Sequence, residues 1–216
     1  MKTIGIPGKS VAKANRSPAI QSGASDAVRN EDAESHTDRL CSFPPIEDTR
    51  AKVLILGSMP GKESLRAGEY YAHRRNAFWP IMGELLGADP ALPYESRIRL
   101  LKSAGIAVWD VLASCTRVSS LDSDIEEAHA NDFESFFLTH PGITHVFFNG
   151  AMAEKYFRTL VLRLLEPRLL RYQRLPSTSP AHAAISYKQK LDAWKVVIPT
   201  DRQPSAHQSP SIGNQF

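Results

Sequence analysis

Two asparagines and one hydroxyl-rich loop are the residues of this chain whose types and spacing best suit chemistry on a flat, hydrogen-bonding ligand. Asn76 closes the run Tyr70-Tyr71-Ala72-His73-Arg74-Arg75, and Asn149 stands between Phe148 and Gly150. An amide carries a donor pair and an acceptor on one rigid plane. Beside aromatic rings, that combination can stack on a nucleobase and hydrogen-bond its edge. The same residues also have a simpler use, in which the tyrosines are half-buried packing groups and Asn76 caps the helix that follows. Ser177-Thr178-Ser179 before Pro180-Ala181-His182 can grip a phosphodiester, and it equally suits a helix-entry loop.

A glycine turn completes the set. In Gly57-Ser58-Met59-Pro60-Gly61 the glycines let backbone approach a ligand and the proline stiffens the turn. The turn lacks the Lys-Ser/Thr ending of a phosphate-binding P-loop and the G-x-G-x-x-G spacing of a dinucleotide fold. No G-x-S-x-G nucleophile elbow and no H-E-x-x-H zinc pair occurs anywhere in the chain. Amides, aromatics and hydroxyls remain, and neither a cofactor nor a metal is expected.

These segments need elements to position them. Short apolar runs at 53–56, 105–112 and 143–148 and the alternating segment 169–175 read as strands, with Asp110 a polar residue near the end of the second. Between and after them, 78–86, 94–103, 131–138, 151–165 and 186–196 carry helical spacing, and Ser123 or Asp124 could cap a further short helix over 125–130. Strands alternating with helices predict an α/β fold, a single three-layer α/β/α domain with a central, mostly parallel four-stranded sheet. In such sheets, sites form where loops leave the carboxyl ends of the strands. Here those ends are the 57–61 turn, Asp110, Asn149 and the 176–182 loop.

The 216 residues are enough for one full core, and 42% hydrophobic with 23% charged content is ordinary for a globular protein. A net charge of +3 permits nucleic-acid binding without requiring it. Arg158, Arg163, Arg168, Arg171 and Arg174 are either a solvated face or a phosphate track. Two cysteines are too few for a four-cysteine cluster and suggest free thiols in a reducing compartment. No apolar run reaches the ~20 residues of a membrane span, and the basic N-terminus lacks a secretory core. A cytoplasmic protein is expected. Residues 1–44 and 200–216 are polar and poor in aromatics, so both are expected to be disordered tails around a working domain over 45–199.

Taken together, five segments resemble the uracil-DNA glycosylase superfamily, most closely its hypoxanthine-DNA glycosylase branch. They are Gly57-Ser-Met-Pro-Gly61 with Ser64-Leu65, Tyr70-Tyr-Ala-His-Arg-Arg-Asn-Ala-Phe-Trp79, Val108-Trp-Asp-Val111 with Ser120-Leu-Asp-Ser123, Phe148-Asn-Gly150, and Leu175-Pro-Ser-Thr-Ser-Pro-Ala-His182. The resemblance implies a monofunctional, cofactor-free enzyme, acting as a monomer, that flips a deaminated base out of DNA and hydrolyses its N-glycosidic bond. Hypoxanthine is favoured over uracil or xanthine. Many superfamily members carry Asn, Asp or Glu where this chain has Met59, which can neither orient nor deprotonate water; in the hypoxanthine branch the catalytic amide stands at the position of Asn76. By the same resemblance Asn149 contacts the base, Tyr71 stacks on it, and Gly57, Ser58, Met59, Pro60 and Gly61 wall the pocket. His73, Arg75, Ser177, Thr178, Ser179 and His182 are the expected DNA contacts. A non-catalytic module that binds damaged DNA or nucleotides is the alternative.

Overall fold

A computed structural model describes residues 39–119, 121–166 and 169–199. In chain order these form β1 (Leu40–Cys41), β2 (Val53–Gly57), α1 (Lys62–Ala67), α2 (Phe78–Leu86), α3 (Tyr94–Ser103), β3 (Ile106–Asp110) and β4 (Leu112–Thr116). They continue as β5 (Glu126–Ala130), α4 (Phe133–Thr139), β6 (His145–Asn149), α5 (Ala151–Tyr156), β7 (Arg171–Leu175) and α6 (Tyr187–Trp194).

The central sheet has the order β3-β2-β6-β7, and all three neighbouring pairs are parallel. Every residue of β2 and β3 is buried. Because successive side chains point to opposite faces, burial at every position means that both faces are covered, which is the expected α/β architecture. All four strands end at one edge. Gly57 pairs with Asp110 and Asn149 with Leu175, so the four expected segments leave the sheet side by side.

α2 hangs directly from this edge. Phe78, Ile81 and Met82 are fully buried on its inner face, and Gly87, with φ of 75°, ends it in the left-handed conformation. Pro80 fits because the first helical turn has no internal partner for the N–H that proline lacks.

A second, three-stranded sheet of order β1-β4-β5 was not expected from the pattern. Residues 125–130, read as a helix, form β5 instead, paired antiparallel with β4. Glu126-Glu127-Ala128-His129-Ala130 has fair helix propensity but no apolar stripe to bury, so pairing with the open side of β4 overrides propensity. β4 itself was hidden, because 105–112 reads as one run although the chain breaks at Val111. There Val111 and Leu112 donate their N–H groups to the carbonyls of Gly57 (2.8 Å) and Ser58 (3.1 Å), which fastens the glycine turn to the strand junction.

The folded body also begins before the expected boundary at 45. Leu40 and Cys41 pair with Cys115 and Ser114, and the Phe43 carbonyl accepts from Trp109 Nε1 at 3.2 Å. Residues 1–38 of the expected N-terminal tail, and the whole C-terminal one, lie outside the described residues, as do Ser120 and Arg168. The helix expected over 151–165 stays α-helical only to Tyr156 and widens into a π turn over Phe157–Val161. Among the described residues no helix is long and apolar enough to cross a membrane.

Candidate active site

The carboxyl edge of the central sheet surrounds a cavity of ≈ 170 Å³ lined by residues of every expected segment, including Gly57, Met59, Tyr71, Asn76, Asn149 and Ser177. An apolar cavity of about 150 Å³ is known to hold one aromatic six-membered ring. This one is large enough for a base but polar on several sides.

The glycine turn forms its floor. Besides the bonds from Val111 and Leu112, the turn is held by the buried Arg117, whose guanidinium donates to the Pro60 carbonyl. Met59 is 7% exposed and packs in the core, so its thioether presents no polar atom for handling water. A side chain at Gly57 would have no room, since a Cβ there would stand 2.3 Å from Asp110 Oδ1 and 3.2 Å from the Tyr71 hydroxyl.

The aromatic loop is the second wall. Tyr70 is an anchor: its N–H donates to Tyr94 Oη at 2.9 Å and its carbonyl accepts from Trp79 Nε1 at 2.8 Å. Tyr71 lies parallel to Phe78 at 4.1 Å between centroids and holds φ at +56°, a region that costs a non-glycine residue energy. Its hydroxyl is buried and has no hydrogen-bond partner among the described residues. Burial pushes this phenol well above the usual tyrosine range, and the Asp110 charge adds to the shift. It therefore stays protonated, and a donor, across the working pH range.

Asn76 follows a tight turn in which its own N–H donates to the His73 carbonyl at 2.7 Å. Its Oδ1 accepts from the Phe78 N–H at 2.9 Å, so the helix-capping use holds, and the residue lines the cavity as well. The two uses are compatible because a carbonyl oxygen has two lone pairs. The cap fixes the plane of the amide and leaves acceptor capacity for a second donor.

Asn149 and Thr178 form the third wall. Asn149 Nδ2 donates to Thr178 Oγ1 at 2.8 Å, and its Oδ1 accepts from the Thr178 N–H, also at 2.8 Å. The Thr178 carbonyl in turn accepts from Ala77 N–H at 2.9 Å. Thr178 is 1% exposed, so this residue, expected among the surface DNA contacts, is instead a clamp joining the end of β6 to the start of α2. Thr178→Val keeps the shape and leaves the Asn149 amide with an unsatisfied donor. The variant is expected to lose about 1–3 kcal/mol of stability, measured by urea unfolding.

The other expected residues divide. His73, Ser177 and Ser179 line the cavity, His182 is exposed in an adjoining cleft beside Arg174 and Leu121, and Arg75 is exposed and lines neither. Gly150 permits the close approach of this loop: its φ is +98°, and a Cβ would meet Ser177 Cβ at 2.9 Å. The sequence put Asp110 at the site-forming edge and Ser64 in a matching segment but gave neither a role, and it passed over Lys62 and Glu63, although all four line the cavity. For Lys62, Glu63 and Ser64 the signal was their place directly after the Gly61 turn. Glu63 is paired with Arg66, and Ser64 Oγ accepts from Ala72 N–H at 3.2 Å, tying α1 to the aromatic loop.

Comparison with known proteins gives a consistent picture. The family profile described as the uracil DNA glycosylase superfamily matches residues 44–199. A hypoxanthine DNA glycosylase of Methanosarcina acetivorans is 33% identical over 157 residues, covering 72% of this chain and 96% of the relative. Another, from Methanosarcina barkeri, is 36% identical over 115 residues, covering 53% and 73%. A solution NMR structure of a uracil DNA glycosylase candidate from Methanosarcina acetivorans superposes with a TM-score of 0.64 at 32% identity, covering 74% of this chain and 97% of that one.

Proposed function

The chain belongs to the uracil DNA glycosylase superfamily, and on that premise we propose that its cavity receives a hypoxanthine flipped out of DNA and releases it by hydrolysis. The protein is a DNA glycosylase. Hypoxanthine as the preferred base is supported by the names of the two relatives and by the departure at Met59. The observation that carries the assignment of roles is the orientation of Asn76, whose amide is locked by the Phe78 N–H while it lines the cavity.

In this reading a water molecule donates to Asn76 Oδ1 and its oxygen bonds to C1′ of the sugar as the C1′–N9 bond breaks. The bonding pair leaves with the base, which takes up one proton as the attacking water gives one up. Cation-like charge on the sugar and negative charge on the base make positioned dipoles more useful than a strong nucleophile. Asn149 Nδ2 holds Thr178 with one hydrogen and offers the other to the base, and the backbone of Ser58 and Met59 closes the pocket floor. Tyr71 stacks on Phe78, which keeps its ring in place at the pocket wall. Ser177, Ser179 and His182, together with His73 and the exposed Arg75, grip the strand that leaves the pocket. No lysine is assigned a covalent part in this reading, in which the enzyme is monofunctional and leaves an abasic site. It works as a cytoplasmic monomer on DNA containing deaminated bases.

A labelled duplex with one hypoxanthine, incubated with the protein and then treated with alkali, is expected to break at that base. An intact strand after alkali refutes the reading.

A further inference from the structure

Asp110 and Tyr71 meet over Gly57, a position of the pocket floor that has no side chain. A Cβ placed on Gly57 would lie 2.3 Å from Asp110 Oδ1 and 3.2 Å from the Tyr71 hydroxyl, so the two oxygens crowd the same few ångströms of cavity wall. Both residues line the cavity. Asp110 is 3% exposed, and its Oδ2 accepts from Ser42 Oγ at 3.0 Å. A carboxylate offers roughly four acceptor positions, so one residue can hold Ser42 and accept from a ligand as well. The Tyr71 hydroxyl is a buried donor with no partner among the described residues, held there by a left-handed backbone that a tyrosine adopts only at a cost. Buried donors in folded proteins are nearly always satisfied, and this one, with the Asn149 side chain beside it, is placed to donate to a group that enters the cavity.

An acceptor beside a donor is the pattern that separates a deaminated base from its parent. Adenine presents N1 as an acceptor beside the N6 amino donor. Deamination inverts that edge: hypoxanthine carries N1–H, a donor, beside O6, an acceptor. We propose that Asp110 and Tyr71 read this inverted edge, Asp110 accepting from N1–H while the Tyr71 phenol donates to O6. The inference rests on the glycosylase reading above and assigns its specificity. Adenine in the same pose would set acceptor against acceptor and donor against donor, leaving buried groups unpaired on both sides. Guanine shares the N1–H and O6 edge, and it is kept out by the greater cost of unpairing it from cytosine, since mispaired bases flip most cheaply.

Asp110 could instead serve the attacking water, and a cycle of enzyme and substrate changes distinguishes the two roles. Single-turnover excision is measured for the wild type and Asp110→Ala on duplexes carrying hypoxanthine or N1-methylhypoxanthine, which has no N1–H. If Asp110 reads N1–H, methylation slows the wild type by on the order of 10²-fold or more. The same methylation then costs Asp110→Ala less than about a tenth of that factor. An equal penalty in both proteins overturns the inference while leaving the glycosylase reading intact. Absence of hypoxanthine excision by the wild type overturns the glycosylase reading itself. Should Asp110→Ala not fold, Asp110→Ser, which keeps a partner for Ser42, takes its place in the cycle. Tyr71→Phe retains the ring on Phe78 and is expected to slow hypoxanthine excision roughly tenfold, the worth of one hydrogen bond. An unchanged rate removes Tyr71 from the reader.

Discussion

Asn76→Ala should excise hypoxanthine at least ~10²-fold more slowly than the wild type in single turnover, the scale found when one polar group acting on a transition state is removed. The substitution has a second consequence, because Oδ1 also accepts the Phe78 N–H at the head of α2. Losing that cap is expected to cost about 0.5–2 kcal/mol. Asn76→Ser separates the two effects. A serine hydroxyl can cap the same N–H but is too short to present an amide to the cavity. It should therefore keep most of the stability and still lose the rate. Chemical denaturation measures the first and single-turnover excision at a temperature well below unfolding measures the second. If Asn76→Ser retained the wild-type rate, capping would be the whole role of Asn76.

Gly57→Ala is expected to abolish measurable excision and to destabilise the fold by about 1–3 kcal/mol, the usual penalty of overpacking. The new Cβ would stand 2.3 Å from Asp110 Oδ1, and Asp110 is buried and bonded to Ser42, so it cannot simply swing away. Relief requires displacing either β2 from β3, which pair at Gly57 and Asp110, or the carboxylate from the cavity. Gly61→Ala is the control, since a Cβ there would meet no atom within 4 Å. A Gly57→Ala protein with wild-type stability and rate would show that the space above Gly57 is not used by the base.

The inner strands were legible in the sequence because a strand buried on both faces has to be an apolar run, and Val53-Leu54-Ile55-Leu56 is one, whereas the largely exposed edge strand β7 was legible from alternation. The gathering of the site followed from topology, since parallel strands deliver their loops to one edge. What the sequence hid was pairing that carries no apolar signature. β5 is held by the ladder to β4, and nothing in Glu126-Glu127-Ala128-His129-Ala130 announces it. Asp110 was visible as a polar residue on an apolar strand, but its role depends on standing opposite Gly57, a register that no local pattern encodes. Thr178 reads like its serine neighbours and differs from them only through Asn149, 29 residues away in the chain. For Asn76 the sequence posed capping and chemistry as alternatives. The geometry makes the two compatible, because Asn76 caps α2 and lines the cavity at once.

The most direct measurement is release of free base from a set of duplexes identical except at one position, which carries hypoxanthine, xanthine, uracil or adenine in turn. Hypoxanthine is expected to be released fastest, the sugar–phosphate strand to stay continuous until alkali is added, and adenine not to be released. Release of no base at all, or of adenine as fast as hypoxanthine, would contradict this expectation.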